Sequence, residues 1–349
     1  AVTEILYALG LQDKIVGVDT TSLYPPQAMK EKPNVGYMRQ LSAEGVPGLN
    51  PQLILAIEGS GPKETLDVLD NAKIPLVSFP ESYSEQGLID KIKLVAHAMD
   101  VDSRGACLTA AVQNDLAELK TLRDGVKKPA RVMFVMSFLN GRAMVAGQKT
   151  AANEIIKMAG GVNAVEGFDG YKPVNDEAIV AAKPDVVLAI LYPPELTLYL
   201  RDAAKYGVKA PTVTTQGVSI EDMVHRVGNP EATKNLFVFY PLSSTLDAPE
   251  FGKWKDMYRK YYPNEPVETL SFMGMTGALA VVEALKRAGP DLTRAKFIDA
   301  LNKLHDFNPG LQSGPLTFTP EVHAGISSGK MIYWPKDHAE IVATYPAGH

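Results

Sequence analysis

Gly36-Tyr37-Met38-Arg39-Gln40-Leu41-Ser42-Ala43-Glu44, running on to Pro51-Gln52-Leu53-Ile54-Leu55-Ala56-Ile57, is the stretch from which the fold reads outward. It joins a loop tyrosine, an arginine two residues on, a short helix and an apolar strand. The chain then repeats much of it. Glu177, Pro184 and Val186-Val187-Leu188-Ala189-Ile190 stand as Glu44, Pro51 and Leu53 to Ile57 do, displaced by 133 positions from Glu44 to Glu177. Gly170-Tyr171 echoes Gly36-Tyr37 with a one-residue slip, and Thr3-Glu4-Ile5-Leu6 up to Gly10 is echoed by Ala152 to Ile156 up to Gly160-Gly161. Two copies of one helix–loop–helix–strand unit imply two similar lobes, and a cleft between similar lobes is a common ligand site.

The flanking sequence alternates in the same way. Ile15 to Val18, Leu53 to Ile57 and Ile74 to Phe79 read as strands, the second nearly all apolar as buried parallel strands are. Helices are expected over Thr3–Leu9, Glu64–Ala72 and Ser84–Met99, the last with Leu88, Ile89, Ile92, Val95 and Ala96 on one face. A long helix follows, roughly Arg104 to Leu122, with Leu108, Val112, Leu116 and Leu119 at helical spacing. Beyond it come the strand from Arg131, a loop over Ser137 to Gly147, a helix from Thr150 to Ala159, a helix from Asp176 and the strand at Val186. Further helices read at Glu195–Tyr206, Phe251–Tyr262, Phe272–Ala288 and Thr293–Leu304. Strands read at Thr212–Thr214, Leu236–Tyr240, Pro315–Phe318, Lys330–Trp334 and Glu340–Thr344. This is an α/β chain: two Rossmann-like lobes with mostly parallel sheets flanked by helices, joined by a long helix. The expected division is a first lobe over 1–102, a linking helix over 103–126, a second lobe over 127–245, and a segment 246–349 that returns toward the first lobe.

Length and composition set the bounds. The chain has 349 residues, of which 46% are hydrophobic and 21% charged. That is long enough, and ordinary enough in composition, for two full cores. The net charge of −5 and the lack of a basic stripe argue against a nucleic-acid surface. No apolar run is long enough to cross a bilayer. A single cysteine, Cys107, excludes an internal disulfide and any CxxC metal site. No signal peptide is visible, which fits a mature or a cytosolic form. An α/β domain ordinarily opens on a strand, whereas Ala1-Val2-Thr3 leads straight into a helix; this reads as a trimmed or re-engineered start.

Residues 1 to about 190 resemble the periplasmic haem-binding proteins of ABC importers, in the class that also serves siderophores and vitamin B12. The resemblance rests on Ala1 to Gly10, Gly36 to Leu41, Ala146-Gly147 with Thr150-Ala151-Ala152, and Gly170-Tyr171-Lys172-Pro173. Residues from about 190 onward resemble periplasmic receptors of the branched-chain amino-acid type. That likeness rests on Leu191 to Glu195, Tyr206 to Pro211, Ser271 to Gly274 and Gly314 to Phe318. The junction falls near 184–192, on a strand that both classes possess, and the chain reads as a chimera of two binding-protein halves.

The first resemblance gives Tyr37 a role. Ferric haem iron accepts a phenolate as axial ligand. A phenol ordinarily ionises at about pH 10, and a neighbouring cation favours the phenolate. In an extended segment Arg39 lies on the same side as Tyr37. In the haem family the tyrosine of this motif ligates the iron and the arginine supports it. The residues alone favour a half-buried loop aromatic and a surface charge. Some members add a histidine after the first strand of lobe two; here that region is Ser137-Phe138-Leu139-Asn140, with none. Arg142, Lys149 and Lys172 are candidates for haem propionates or plain solvated charges. Glu44 and Glu177 sit near helix starts, where a carboxylate suits the dipole; the resemblance makes each a docking residue for the membrane permease.

Other chemistry is thin. His97, His225, His305, His323, His338 and His349 show no HxxxH or HExxH spacing, and no GxSxG, P-loop or catalytic dyad is visible. The C-terminal resemblance puts Gln216, Tyr240 and Phe272 near a cleft, although the two aromatics read equally as core. The reading is therefore a non-enzymatic, periplasmic, monomeric solute-binding protein that carries haem in an inter-lobe cleft to an ABC permease. The alternatives are a small amino-acid-type ligand, or a hybrid scaffold with no native ligand.

Overall fold

The computed structural model describes residues 1–215, 217–320, 322, 325 and 328–345. Contacts divide the chain into two compact units, Ala1–Lys127 and Lys128–His349.

In the first unit, α1 (Val2–Ala8) and α2 (Pro26–Glu31) precede a hairpin of β1 (Gly36–Tyr37) and β2 (Gln40–Leu41). Then come β3 (Ile54–Ile57), α3 (Lys63–Asn71), β4 (Leu76–Phe79), α4 (Glu85–Ala98) and the 23-residue α5 (Asp102–Asp124). The core gathers Ile5, Leu6 and Leu9 of α1 and its C-terminal end, Phe79 of β4, and Ile92, Val95 and Ala96 of α4. Ser84 starts α4 by accepting from the Gly87 N–H at 3.0 Å, which satisfies one of the orphan donors of the first turn. Gly105 lets α5 come close to α4, since a Cβ there would lie 2.4 Å from the Ala96 Cβ.

Two expectations are corrected here. Ile15 to Val18 is extended but not a ladder strand; it holds one bridge, Val18 to Asn34. Strand β3 is all apolar, yet each of its four residues is only half-buried, and among the described residues it pairs with β4 alone.

Lys91 of α4 is buried at 7% side-chain exposure and donates to Glu81 at 2.6 Å, itself 25% exposed. Removing the carboxylate strands a buried cation, whereas removing the cation leaves an acid that water can reach. Glu81→Ala is expected to destabilise the first unit by about 2–3 kcal/mol, and Lys91→Met by clearly less. Urea denaturation of both variants checks the order; equal losses would refute the asymmetry.

The second unit is built on one nine-stranded mixed sheet among the described residues. Its members in chain order begin with β5 (Arg131–Leu139), β6 (Arg142–Ala146), α6 (Ala151–Met158), β7 (Val162–Asn163) and β8 (Tyr171–Val174). They continue with α7 (Asp176–Ala182), β9 (Val186–Ala189), α8 (Pro193–Lys205), β10 (Thr212–Thr214), α9 (Ile220–Val227), α10 (Pro230–Thr233) and β11 (Leu236–Tyr240). The last are α11 (Gly252–Tyr261), α12 (Thr269–Ala288), α13 (Arg294–Asn302), β12 (Gly329–Tyr333) and β13 (Glu340–Tyr345). The order is β13-β12-β11-β10-β9-β5-β6-β8, with β7 also on β5. Strands β5, β9, β10 and β11 run parallel, and β6, β8, β12 and β13 add antiparallel margins. Met133, Val187, Leu236 and Val238 are fully buried under α8, α9 and α12, which contribute Leu196, Tyr199, Ile220, Met223 and Phe272. Central parallel strands covered in this way carry apolar side chains on both faces. Trp254 and Trp334 pack against the same core.

The loop expected over Ser137 to Gly147 is a hairpin. Strand β5 continues to Leu139, Asn140 and Gly141 turn with φ of 52° and 70°, and β6 returns. Two positive φ values in succession are what a two-residue hairpin turn asks for. The strand expected at Pro315–Phe318 reduces to a bridge between Phe307 and Leu316. Residues 246–349, expected to return toward the first lobe, place β12 and β13 on the open edge of β11. Two ring stacks favour that placement. Phe237 lies on Tyr333 with centroids 5.3 Å apart, and Phe239 on Tyr345 with centroids 6.3 Å apart. Cross-strand aromatic pairs of this kind stabilise a sheet edge.

Candidate functional site

Tyr37 and Arg39 share one tight hairpin, but not as an extended pair. Tyr37 faces Gln40 across the β1–β2 ladder, so Met38 and Arg39 are the two turn residues. The same-side argument fails, and the two are neighbours only through the turn. Gly36 enters it at φ 97°, a conformation that asks for glycine. The hairpin is tied down by main-chain bonds from Leu41 N–H to the Gly61 carbonyl (2.8 Å) and from Gly61 N–H to the Met38 carbonyl (3.0 Å). Thr65 Oγ1 also donates to the Leu41 carbonyl at 3.2 Å. Tyr37 is 41% exposed, and its hydroxyl has no partner among the described residues. A tyrosine on a clamped hairpin with an open hydroxyl can present oxygen to a metal or a ligand.

The second unit carries the counterpart. Gly170 has φ 77°, and Tyr171, 38% exposed, begins β8 opposite Ala146 of β6. The one-residue slip in the sequence repeat thus hides a shared local geometry, a left-handed glycine before an exposed strand tyrosine. Sequence reasoning noted the echo but gave Tyr171 no role.

Arg142 and Lys172 belong to this unit, and the structure does not bring them together. Lys172 sits opposite Val145, three positions from Arg142 on β6, so alternation puts the two on opposite faces. Lys172 Nζ lies 5.1 Å over the Phe168 ring, a cation–π contact. Lys149 is held by Asp169 at 2.7 Å. Glu44 is exposed in a turn that leads into a 3-10 helix, Pro47–Leu49, and not at the start of an α-helix. Pro47 takes the first position there, where its missing N–H is harmless. Glu177 is in the first turn of α7, exposed, and accepts from Asn175 Nδ2 at 2.9 Å.

Gln216 lies outside the described residues, as do His323 and His349. Tyr240 and Phe272 are fully buried, which places them in the core. No cluster of three potential metal ligands occurs among the described residues.

Around Tyr240 the ends of β11, α9 and α12 meet in a polar nest. Glu221 accepts from Ser219 Oγ (2.7 Å) and Thr269 Oγ1 (2.9 Å). Burial, with Glu221 next to it, holds the Tyr240 phenol above the ordinary tyrosine range. Glu268 caps α12 through a reciprocal box with Ser271. Burial and then the Asp222 charge raise its carboxyl above the ordinary glutamate value, with Glu221 adding and Arg226 and His225 opposing. A raised acid favours the fold while protonated and withdraws that support as pH rises through its folded pKa. Glu268→Gln keeps the cap and removes the charge. Its stability should match wild type at about pH 3 and exceed it at about pH 7, on either side of the carboxyl titration. Thermal melts across that range show the crossover; a deficit at neutral pH contradicts it.

Comparisons with known proteins bear on both halves. One periplasmic binding protein family profile matches residues 1–190, and a second, distinct periplasmic binding protein profile matches 177–339. The chain is 29% identical over 189 residues to the uncharacterized ABC transporter substrate-binding lipoprotein YvrC of Bacillus subtilis (strain 168), covering 53% of this chain and 60% of that protein. It is 27% identical over 187 residues to the vitamin B12-binding protein of Yersinia pestis (strain Pestoides F), with 53% and 65% covered. The chain thus spans less than two thirds of the curated relatives it matches.

Among solved structures, the periplasmic heme-binding protein RhuT from Roseiflexus sp. RS-1 aligns at 38% identity and TM-score 0.50, over 54% of this chain and 73% of that one. The periplasmic heme-binding protein BhuT, in complex with two hemes, aligns at 36% and 0.54, over 61% and 85%. With a profile spanning more than half of its length and α/β architecture shared with these structures, the chain belongs to the periplasmic binding protein family.

Proposed function

We propose that the protein is a solute-binding component of an ABC importer, periplasmic in location, and that its solute is haem. One observation carries the reading: Tyr37 stands exposed on a clamped hairpin, its hydroxyl without a partner among the described residues, with Arg39 in the adjoining turn. The phenolate of Tyr37 takes one axial position of ferric iron, and the Arg39 cation favours that charge state. Arg142 and Lys172 are the proposed propionate partners; their placement on opposite faces of the β6–β8 pair lets at most one of them serve a given propionate. Glu44 and Glu177, both exposed, are the proposed permease contacts. The names of the RhuT and BhuT structures support haem, and that of the Yersinia relative keeps vitamin B12 as the competing solute. Titration with haemin, and separately with cyanocobalamin, separates them. A Soret band with a tyrosinate charge-transfer band at one equivalent is expected with haemin; uptake of cobalamin alone would overturn the reading.

We further propose that the chain joins two binding-protein halves within 177–190, where the two profiles overlap. Strand β9 in that overlap pairs with β5 on one side and β10 on the other, so it serves both halves. Scanning calorimetry is expected to give two heat-absorption peaks, one for each compact unit, with both sides of the join melting together in the second because they share β9; a third peak would mean that the two sides do not share one core.

A further inference from the structure

Helix α12 runs for 20 residues in the second unit. From Thr269 to Val282 none of its side chains carries a charge. One face belongs to the core: Phe272, Thr276, Ala280 and Ala284 are buried, and α13 packs alongside. The opposite face is apolar as well. Leu270, Val281, Val282 and Leu285 are 39% to 45% exposed, and Gly274, Gly277 and Ala278 lie open between them. A helix that is apolar all round is built to be buried, and a contiguous apolar patch on a surface marks an interaction site.

The glycines point to a close-packed neighbour. A mid-helix glycine is less favourable than alanine. A Cβ at Gly274 or Gly277 would meet nothing within 4 Å, so the single chain gains no packing from either. A second backbone laid on this face would use both.

The face also reads the same from both ends. Leu270, Gly274, Gly277, Ala278, Val281 and Leu285 fall on one stripe and are spaced symmetrically about the Gly277–Ala278 midpoint. In an antiparallel pair Leu270 meets the partner's Leu285, Gly274 seats the partner's Val281, and Gly277 lies over the partner's Ala278. Such self-complementarity is what a two-fold interface requires. The charges agree. Glu265 and Glu268 stand at the start of the helix, and Lys286 and Arg287 at its end. Arg287 is paired with Glu283 at 2.8 Å, whereas Lys286 has no partner among the described residues. Antiparallel packing brings the acidic end of one helix to the basic end of the other and opposes their dipoles; parallel packing would set like on like.

We infer that this face is the interface of a two-fold dimer, in place of the monomer expected from the sequence, and that its occupant is α12 of a second copy, antiparallel. A helix about 30 Å long buries less than a standard interface, so the dimer is weak, with a Kd in the micromolar range.

Sedimentation equilibrium of the full chain tests it. Gly274→Glu is expected to weaken the dimer by about tenfold or more, because it sets an unpaired charge in the seat of the partner's Val281. Its melting temperature, measured well below the dimerisation range, should not fall, since the side chain has open space and replaces a poor helix former. Orientation is read by oxidative cross-linking in a Cys107→Ser background. Leu270→Cys mixed with Leu285→Cys should cross-link, and Leu270→Cys alone should not. Self-linking of Leu270→Cys overturns the antiparallel pair. A chain that stays monomeric up to about millimolar concentration overturns the interface. So does a dimer that Gly274→Glu leaves intact, since it lies on another surface. A monomer that floats with phosphatidylcholine vesicles, and loses this in Gly274→Glu, assigns the face to lipid and overturns the inference too.

Discussion

Tyr37→Ala is expected to abolish the tyrosinate charge-transfer band of the haemin complex and to weaken haemin binding by roughly 100-fold, about 2.7 kcal/mol. The hairpin gives the reason. Its clamps are main-chain bonds from Leu41 and Gly61 plus the Thr65 hydroxyl, and none uses the Tyr37 ring. Removing an exposed ring should therefore leave the fold standing, and lost binding would report the ligand itself. Tyr37→Phe sharpens the test by deleting only the oxygen. Its complex should lose the same band while its melting curve stays at the wild-type position. Retention of the band in Tyr37→Phe would move the iron ligand elsewhere, and Tyr171→Phe would be the variant to compare, because Tyr171 follows a left-handed glycine in the same manner.

Phe272→Ala carries the second large effect. The ring is fully buried in α12 and packs at a tilt on Phe251, with centroids 5.1 Å apart. Truncation leaves a cavity inside a close-packed core and should lower the stability of the second unit by about 3–5 kcal/mol. The resemblance to amino-acid receptors offered Phe272 as a pocket wall. A wall residue would tolerate the change within about 0.5 kcal/mol. Calorimetry decides, because the peak of the second unit should fall while that of the first stays in place.

Much of the architecture was legible from local pattern. Thr212–Thr214 and Leu236–Tyr240 coincide with β10 and β11, and Thr150 caps α6 by accepting from the Asn153 N–H at 3.1 Å. These are elements whose own residues decide them, through a buried apolar run or a hydroxyl before a helix. The misses are elements decided by a neighbour. Asn140-Gly141 is a hairpin signal, yet the loop expected over Ser137 to Gly147 leaves it unused, because its weight depends on the strand that returns to pair across it. Ile15 to Val18 has strand composition, yet a strand needs a partner at its open edge. Tyr37 and Arg39 show the same limit at the site. Spacing by two suggests a common face only if the backbone is extended, and here it turns between them. For the opposite reason Tyr171 gained no role: its environment matches that of Tyr37 in backbone conformation and exposure, neither of which a residue-by-residue comparison with a slipped register displays.

Both tryptophans of the chain, Trp254 and Trp334, are packed on the core of the second unit. Indole emission is therefore a private signal of that half, and a fluorescence melt or stopped-flow trace will be blind to events confined to Ala1–Lys127. A tryptophan placed at Tyr83, an exposed position in the other half, would supply the missing optical channel.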